Sequence, residues 1–314
     1  MLNPPARFPL AVLPTPLVHA SRLSAALERE VWIKRDDLTG FALGGNKVRP
    51  LEVLMADALD QRCDHVVGCG GPSSNLCSAL AAAAATAGLA CTLVLYGGEP
   101  AIAHPNLTMM RAFGARTTFT GDPDRASTPR HAADTAARLH AGGCRPYVVP
   151  RGAASGLGAT AYALAAQELA SQLTFRPAHV VMAVGSGGTV AGLLAGWTTS
   201  GLSGTLVGVA VSRPLGETRR EVTRLSGEAA RLLGADAPAT DRLRLVDGLG
   251  AGFGRADRTT CEAACLALRT EGVVADTTYV ARAVAALGSL GDPLVLWHTG
   301  GWLGFVGDAM GVEQ

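Results

Sequence analysis

The sequence predicts an α/β protein built from parallel-rich sheets that are covered by helices. Its dominant rhythm is a short β-branched run, then a glycine-rich turn, then an alanine-rich stretch of helical character. Such alternation is typical of parallel sheets, whose strands are buried on both faces. With 314 residues, of which 48% are hydrophobic and 17% charged, the chain can bury one large core or two interlocked ones.

The predicted elements follow one another without a sequence repeat. The amino-terminal half predicts strands at 65–68, 92–96 and 117–120, and helices at 74–88 and 106–113. The carboxyl-terminal half predicts strands at 180–184, 205–211 and 293–298, and helices at 159–173, 190–197 and 302–310. Ligands of such sheets bind outside the carboxyl ends of the strands, so a site is expected at the glycine-rich turns.

Composition argues against two classes of partner. The formal net charge is +1, the isoelectric point is about 7.7, and the arginines are dispersed, so neither nucleic acid nor an anionic membrane is expected. Residues 68–98 carry no charged side chain, but glycines and a proline interrupt them, which argues against a membrane span. The opening residues lack the charged start and apolar core of a signal peptide.

The seven cysteines predict thiols rather than disulfides. Their number is odd and several lie in apolar runs, which suits a reducing cytoplasm. Cys261 and Cys265 share a predicted helix face, but no nearby histidine or further cysteine completes a metal-binding set. No metal site is therefore expected.

The turn FALGGNKVRP, residues 41–50, presents a lysine in a chain that has only two. Lys34 and Lys47 stand against twenty-five arginines. An arginine would be equally cationic, but it could not lose its proton and attack a carbonyl, as a desolvated lysine can. Lys34 lies in a charged run, so Lys47 is the predicted Schiff-base lysine.

A second turn, VGSGGT at residues 184–189, joins a predicted strand to a predicted helix. Its glycines would let the backbone approach an anion, and N–H groups at a helix N-terminus can hold a phosphate. It is not a nucleotide P-loop, because no Gly-Lys-Ser/Thr follows, and Val190 stands where a dinucleotide fingerprint needs its third glycine. A tight turn without a ligand is the alternative interpretation.

Three other turns carry polar groups. Residues 70–75, GGPSSN, predict either a helix cap or a binding loop for a substrate carboxylate. Residues 298–301, HTGG, place a hydroxyl at the end of a strand, and residues 276–279, DTTY, offer a helix cap and an aromatic ring. Together with the lysine, these turns match the needs of pyridoxal phosphate: an amine, an anion cradle and partners for its ring nitrogen and phenolic oxygen.

Residues 34–39, KRDDLT, followed by residues 44–49, GGNKVR, resemble the opening of the D-cysteine desulfhydrase and aminocyclopropanecarboxylate deaminase family. These are fold-type-II pyridoxal phosphate enzymes of the tryptophan synthase β-like superfamily. The resemblance spans about residues 14–305. It continues through Ser74-Asn75, residues 106–114, Pro150-Arg151-Gly152, Leu157-Gly158, GSGGT, residues 276–279 and HTGG.

The resemblance implies a role for each matched residue. Lys47 would bind the cofactor aldehyde and shuttle a proton, and Asn75 and Thr299 would contact the phenolic oxygen and the pyridine nitrogen. Ser74 would face the substrate's carboxylate and α-carbon, and catalysis would rest on Lys47, Ser74 and Tyr279. The phosphate would be held by Gly185, Ser186, Gly187, Gly188 and Thr189, and the substrate by Ser73, Ser74, Asn75, Phe253 and Tyr279.

Several positions depart from the family pattern on the substrate side. The usual Gln-Ser-Asn-His reads Ser73-Ser74-Asn75-Leu76, and the arginine two residues after that histidine is Ser78. Phe253 replaces a second tyrosine, and Val280 replaces the glutamate of the deaminases. Ring opening of aminocyclopropanecarboxylate is therefore not expected, and the usual desulfhydration is in doubt.

The expected architecture has two α/β domains with pyridoxal phosphate in the cleft between them. Residues 1–52 and 159–314 would form the large cofactor domain, and residues 53–158 the small substrate-facing one. The expected activity is a lyase that eliminates a β-leaving group from a small amino acid, giving a 2-oxo acid and ammonia. A β-replacement synthase, a racemase and a non-catalytic homologue that binds the cofactor or another ligand remain alternatives, and the resemblance implies a homodimer.

Overall fold

The computed structural model describes residues 2–309, and its strands form two separate sheets. Most strands are short runs of buried β-branched and aliphatic residues, which is what a sheet covered on both faces requires. In chain order they are β1 (Leu17–His19), β2 (Val31–Arg35), β3 (His65–Gly70), β4 (Ala90–Leu95), β5 (Arg116–Phe119), β6 (Pro146–Val148), β7 (His179–Val184), β8 (Thr205–Ala210), β9 (Leu243–Asp247) and β10 (Leu294–His298).

The helices cover these sheets and supply most of the alanine-rich core. In chain order they are α1 (Ser21–Leu27), α2 (Val48–Asp60), α3 (Asn75–Ala87), α4 (Pro105–Ala112), α5 (Thr128–Ala141), α6 (Gly156–Gln172), α7 (Gly188–Trp197), α8 (Leu215–Leu233), α9 (Arg258–Glu271), α10 (Val280–Leu287) and α11 (Trp302–Ala309). Within residues 2–309, no helix is long and apolar enough to cross a membrane.

The larger sheet has the strand order β1-β2-β10-β7-β8-β9, and the smaller has the order β5-β4-β3-β6. All neighbouring strands are parallel except the antiparallel pair of β1 and β2. Because the central strands run in one direction, the turns after β10, β7 and β8 lie side by side at one edge. The predicted α/β class with parallel-rich sheets is thereby confirmed.

Helices α6 and α7 pack unusually closely, and this contact positions the turn that precedes α7. A Cβ atom added at Gly192 would lie 2.0 Å from the Ala159 carbonyl oxygen, and one at Gly196 would lie 2.6 Å from the Ala163 oxygen. Only glycine lets the two backbones approach to this distance. The N-terminus of α7 is consequently held against the core.

The predicted element bounds differ from the observed ones by a few residues. The helix predicted at 159–173 begins at Gly156, because the Ser155 hydroxyl caps it by accepting a hydrogen bond from the Gly158 N–H at 3.0 Å. The helix predicted at 302–310 is described to Ala309, and Met310 lies outside the described residues. The domain boundaries at 52/53 and 158/159 stay predictions, although the smaller sheet falls within 53–158.

Candidate active site

One cavity opens where the carboxyl ends of both sheets face each other. It brings together turns that are far apart in the chain, as the sequence predicts for a site between two α/β units. The predicted site residues that line it are Lys47, Ser73, Ser74, Asn75, Gly185, Ser186, Gly187, Thr189, Phe253, Tyr279 and Thr299. Gly188 does not line the cavity, because it is buried as the first residue of α7 and faces Ala154.

Lys47 ends a short 3-10 turn, Gly45–Lys47, directly before α2. Its Nζ lies 3.4 Å from the Gly152 carbonyl oxygen, and no carboxylate forms an ion pair with it within residues 2–309. Desolvation lowers the pKa of this amine to about 8. A larger share of neutral amine is therefore present near neutral pH than an exposed lysine would offer.

The lysine turn packs directly on the turn after β10. The Asn46 N–H donates a hydrogen bond of 2.9 Å to the Thr299 carbonyl oxygen, and a Cβ atom at Gly45 would lie 2.5 Å from that same oxygen. Gly45 also has a φ of +54°, which favours glycine. Gly45 thus lets the lysine turn pack against the neighbouring strand end.

Lys34, the other lysine, is enclosed in a buried polar network away from the cavity. Its Nζ donates to Glu168 Oε1 at 2.5 Å, to Gln172 Oε1 at 2.6 Å and to the Thr15 carbonyl oxygen at 2.7 Å. All three ammonium donors are used, and the side chain is fully buried. Lys34 is therefore structural, which leaves Lys47 as the lysine that faces the cavity.

The turn at residues 185–189 connects β7 to α7 and forms an open anion cradle. Gly187 has a φ of +99°, and a Cβ atom at Gly185 would lie 2.9 Å from the Tyr279 ring. The Thr189 hydroxyl accepts a hydrogen bond of 3.0 Å from Asn46 Nδ2, which ties the cradle to the lysine turn. Backbone N–H groups and the helix dipole favour an anion at this position.

The loop at residues 73–75 both caps a helix and faces the cavity. Ser74 Oγ accepts a hydrogen bond of 3.2 Å from the Cys77 N–H, so the capping interpretation of this serine is confirmed. Asn106 Nδ2 donates to the Ser73 carbonyl oxygen at 2.9 Å and to Asn75 Oδ1 at 3.1 Å. Fully buried Asn106 therefore holds the loop, a role that the sequence did not single out.

Buried His298 and Asp276 hold the turns that carry Thr299 and Tyr279. His298 Nδ1 accepts from the Gly300 N–H at 3.1 Å while its Nε2 donates to the Val274 carbonyl oxygen at 2.9 Å, which orients the turn that carries Thr299. Asp276 accepts hydrogen bonds from the Tyr279 and Val280 N–H groups at 3.0 and 3.2 Å, at the start of α10, although the N-cap residue itself is Tyr279 and has no side-chain cap. Burial raises the pKa of this carboxyl to about 7.

The structure adds residues that sequence reasoning missed. Arg125, Arg151, Arg213, Tyr96 and Ser212 also line the cavity, and so does Leu76 from the altered loop. The three arginines come from three different loops, and no spacing in the sequence links them. Only the meeting of the two sheets brings them together.

The cavity suits a phosphorylated aldehyde. Its lining within residues 2–309 contains no carboxylate, and its desolvated amine lies in the same cavity as the anion cradle. An anionic cofactor that reacts with an amine therefore meets no carboxylate that would repel it. The described residues contain no cluster of histidine, cysteine or acidic side chains that could hold a metal ion.

These features define an α/β protein that presents a desolvated lysine amine and an anion cradle in one cavity between two sheets. The profile of the family described as pyridoxal-phosphate dependent enzyme matches residues 9–300, and the chain belongs to that family. The D-cysteine desulfhydrase of Yersinia enterocolitica is 37% identical over 307 residues, covering 91% of each chain. A putative 1-aminocyclopropane-1-carboxylate deaminase of Pyrococcus abyssi is 34% identical over 309 residues, covering 94% of this chain and 92% of the relative.

A solved structure shows the same architecture. The crystal structure of an ACC deaminase homologue superposes with a TM-score of 0.92 at 32% identity, covering 99% of this chain and 97% of that one. The resemblance inferred from the motifs is thereby confirmed, and with it the fold type and the pyridoxal phosphate dependence.

Proposed function

We propose that the protein is a pyridoxal phosphate lyase that eliminates a β-leaving group from a small amino acid. One observation carries this conclusion: the amine of Lys47, desolvated and without an ion-pair partner in the described chain, lines the same cavity as Ser74. Relatives named D-cysteine desulfhydrase and putative 1-aminocyclopropane-1-carboxylate deaminase support the reaction class.

The cofactor would be held by groups from both sheets. Backbone N–H groups of residues 185–189 would bind its phosphate, Asn75 its phenolic oxygen and Thr299 its pyridine nitrogen. When bound, pyridoxal phosphate supplies an electron sink for the pair left behind when the α-proton is removed. A neutral hydroxyl at Thr299 would leave the ring nitrogen largely unprotonated, which favours elimination over transamination.

Proton transfer would rest on Lys47 and Ser74. Lys47, with a pKa of about 8, can accept a proton near neutral pH and return it later. Ser74, at the N-terminus of α3, would bind the substrate carboxylate and face its α-carbon. Overall, the α C–H and β C–leaving-group bonds break, and one water is consumed, giving a 2-oxo acid, ammonia and the protonated leaving group.

The first test uses Lys47→Ala. Wild-type protein loaded with pyridoxal phosphate should show the near-ultraviolet and visible absorbance of lysine-bound cofactor, and Lys47→Ala should lack it. D- and L-amino acids with β-leaving groups are then scored for a spectral change and for 2-oxo acid formation. Wild-type protein that takes up no cofactor, or that responds to no amino acid, contradicts the proposal.

We also propose that the protein is a homodimer located in the cytoplasm. The family resemblance supports the dimer, and light scattering coupled to size exclusion tests it, with a monomer as the contrary result. All seven cysteines are free, which supports a reducing compartment. Fractionation of the native cells would test the location.

A further inference from the structure

Three arginines, Arg125, Arg151 and Arg213, form a cationic cluster in the wall of the cavity. All three are half-buried. Within residues 2–309, none of them forms an ion pair, whereas the buried Arg49 pairs with both Asp36 and Glu168. Burying a cation without a counter-ion costs free energy, so a cluster of this kind is suited to an anionic ligand.

Hydrogen bonds hold the cluster together through backbone atoms. Arg151 Nη1 donates to the Arg125 carbonyl oxygen at 2.9 Å, and the Arg125 guanidinium donates to the carbonyl and hydroxyl oxygens of Ser212. Arg213 follows Ser212 directly, and its own side chain makes no hydrogen bond to residues 2–309. Desolvation and the charges of Arg151 and Arg125 lower its pKa, while Glu217 and Glu221 act in the opposite direction.

The cluster borders residues that the proposed function assigns to the substrate. Arg125 Cζ is 4.3 Å from the centroid of the Phe253 ring, and that ring meets Tyr279 edge to face at 6.1 Å. On the other flank, the Tyr96 hydroxyl lies against Gly71, which precedes the serine loop. The charges of Arg125 and Arg151 both reach Tyr96.

The two anions that the reaction class requires already have cradles elsewhere. The cofactor phosphate is assigned to the N-terminus of α7, and the substrate α-carboxylate to the N-terminus of α3, both through backbone N–H groups and hydroxyls. Neither of these two anions needs the three guanidiniums, which are therefore available to contact the remaining part of the substrate, its side chain. Guanidiniums bind carboxylate, phosphate and sulfonate oxygens through paired donors.

We propose that this cluster binds an anionic group on the substrate's side chain, so that the protein acts on amino acids with a second acid group. The inference rests on the proposed function and narrows its substrate class. Phosphate, sulfonate and carboxylate side chains share this chemistry. The anionic group can be the leaving group itself or can lie beside it.

The experiment compares matched acidic and neutral amino acids on the cofactor-loaded enzyme. Absorbance titration gives the Kd of O-phosphoserine against serine, of alanine bearing a β-sulfonate against cysteine, and of aspartate against asparagine, in both enantiomers. At least one acidic member should bind about 10-fold or more tightly than its neutral partner. Equal or weaker binding of every acidic member overturns the inference, even when the neutral ones react.

Arg213→Gln tests the cluster directly, and exposed Arg220→Gln on α8 is its matched control. Arg213→Gln should weaken the acidic ligand about 10- to 100-fold while the neutral ligand and the cofactor keep their affinity within about twofold. Arg220→Gln should change none of them. Loss of cofactor affinity in Arg213→Gln would assign the cluster to the cofactor phosphate and overturn the inference.

Two further results distinguish failure of this inference from failure of the proposed function. If Arg213→Gln lowers the melting temperature, Arg151→Gln is titrated in its place. It should likewise weaken binding of the acidic ligand without weakening binding of the neutral ligand or the cofactor. Acidic ligand affinity that persists in both variants contradicts the inference. If no amino acid gives a spectral response, both the proposed function and this inference are wrong. If neutral amino acids react but no acidic one binds more tightly than its neutral partner, only the inference is wrong.

Discussion

At the scale of single residues, the chemistry depends on which of two lysines keeps a free amine. Lys34 has three oxygen partners and is fully buried, whereas the only hydrogen-bond contact of the Lys47 amine within residues 2–309 is a long one to the Gly152 carbonyl oxygen. The same side-chain type is thus an anchor in one place and a candidate nucleophile in the other. Solvation and partners, rather than residue type, separate the two roles.

The pH dependence of cofactor uptake tests this assignment. The pKa of Lys47 in the folded protein is lowered from 10.5 to about 8, so its reactive neutral form increases as the pH rises toward 8. Uptake of pyridoxal phosphate by the apoprotein should slow by about tenfold for each pH unit below 8 and level off above it. Stopped-flow absorbance between pH 6 and 9.5 measures this rate, and a profile flat across that range would contradict the assignment.

At the scale of elements, glycines on α7 decide how closely α6 and α7 pack. The Gly192 and Gly196 backbones touch the Ala159 and Ala163 carbonyl oxygens, which leaves no room for a methyl group. This contact fixes the N-terminus of α7 and therefore the anion cradle at residues 185–189. Pattern reasoning recognised α7 as a helix, but it passed over the more polar α5 and α8.

Gly192→Ala is expected to destabilise the fold by about 1–3 kcal/mol, because its Cβ would overlap the Ala159 oxygen and Tyr162. Gly227→Ala on α8 is the matched control, since a Cβ there meets no atom within 4 Å, and it should stabilise by up to about 1 kcal/mol. Urea unfolding of both variants measures the difference. Equal stability of the two would show that the close contact is not required.

At the scale of the whole molecule, a buried charge network joins segments from distant parts of the chain. Glu168 on α6 accepts from Lys34 on β2 and from Arg49 on α2, and it also accepts from the Thr15 N–H of the amino-terminal arm. Arg49 pairs further with Asp36 at 2.8 Å. Because α2 begins directly after Lys47, the network anchors Lys47 to the large sheet.

Glu168→Gln should lower the free energy of unfolding at pH 7 by on the order of 2 kcal/mol, because it leaves two buried cations underpaired. Arg49 and Lys34 help lower the pKa of Glu168 from 4.5 to about 2, against the effect of burial. The ionised carboxylate therefore stabilises the fold fully above about pH 4.5, and this stabilisation is lost as the pH falls toward 2.

Urea unfolding at several pH values checks this prediction. The difference in free energy of unfolding between wild type and Glu168→Gln should decrease as the pH is lowered from 5 to 3. Glu262→Gln removes the partner of Arg258 in an exposed pair and should change stability little at any pH. A difference that stays constant with pH would contradict the proposed coupling between ionisation of Glu168 and stability of the fold.

Much of the site was predictable because its chemistry lies in short, contiguous turns. GGNK, GPSSN, GSGGT and HTGG each follow local rules of backbone conformation, capping and anion binding, so each could be interpreted before the fold was known. Asn106 could not be found in this way, because its partners Ser73 and Asn75 lie some thirty positions away. The same holds for Tyr96, which lines the cavity and packs against Gly71, twenty-five positions earlier in the chain.

By itself the sequence determined the α/β class and the cofactor, and it predicted Lys47 as the lysine that would bind this cofactor, because alternation of elements and turn chemistry are local properties of the chain. Only the tertiary structure decided which charged side chains lie close together. Arg125, Arg151 and Arg213 come from separate loops, and their proximity follows from the way the two sheets face each other. Electrostatic interaction depends on distance and burial rather than on sequence order, so the cationic wall that bears on the substrate had no counterpart in the linear pattern.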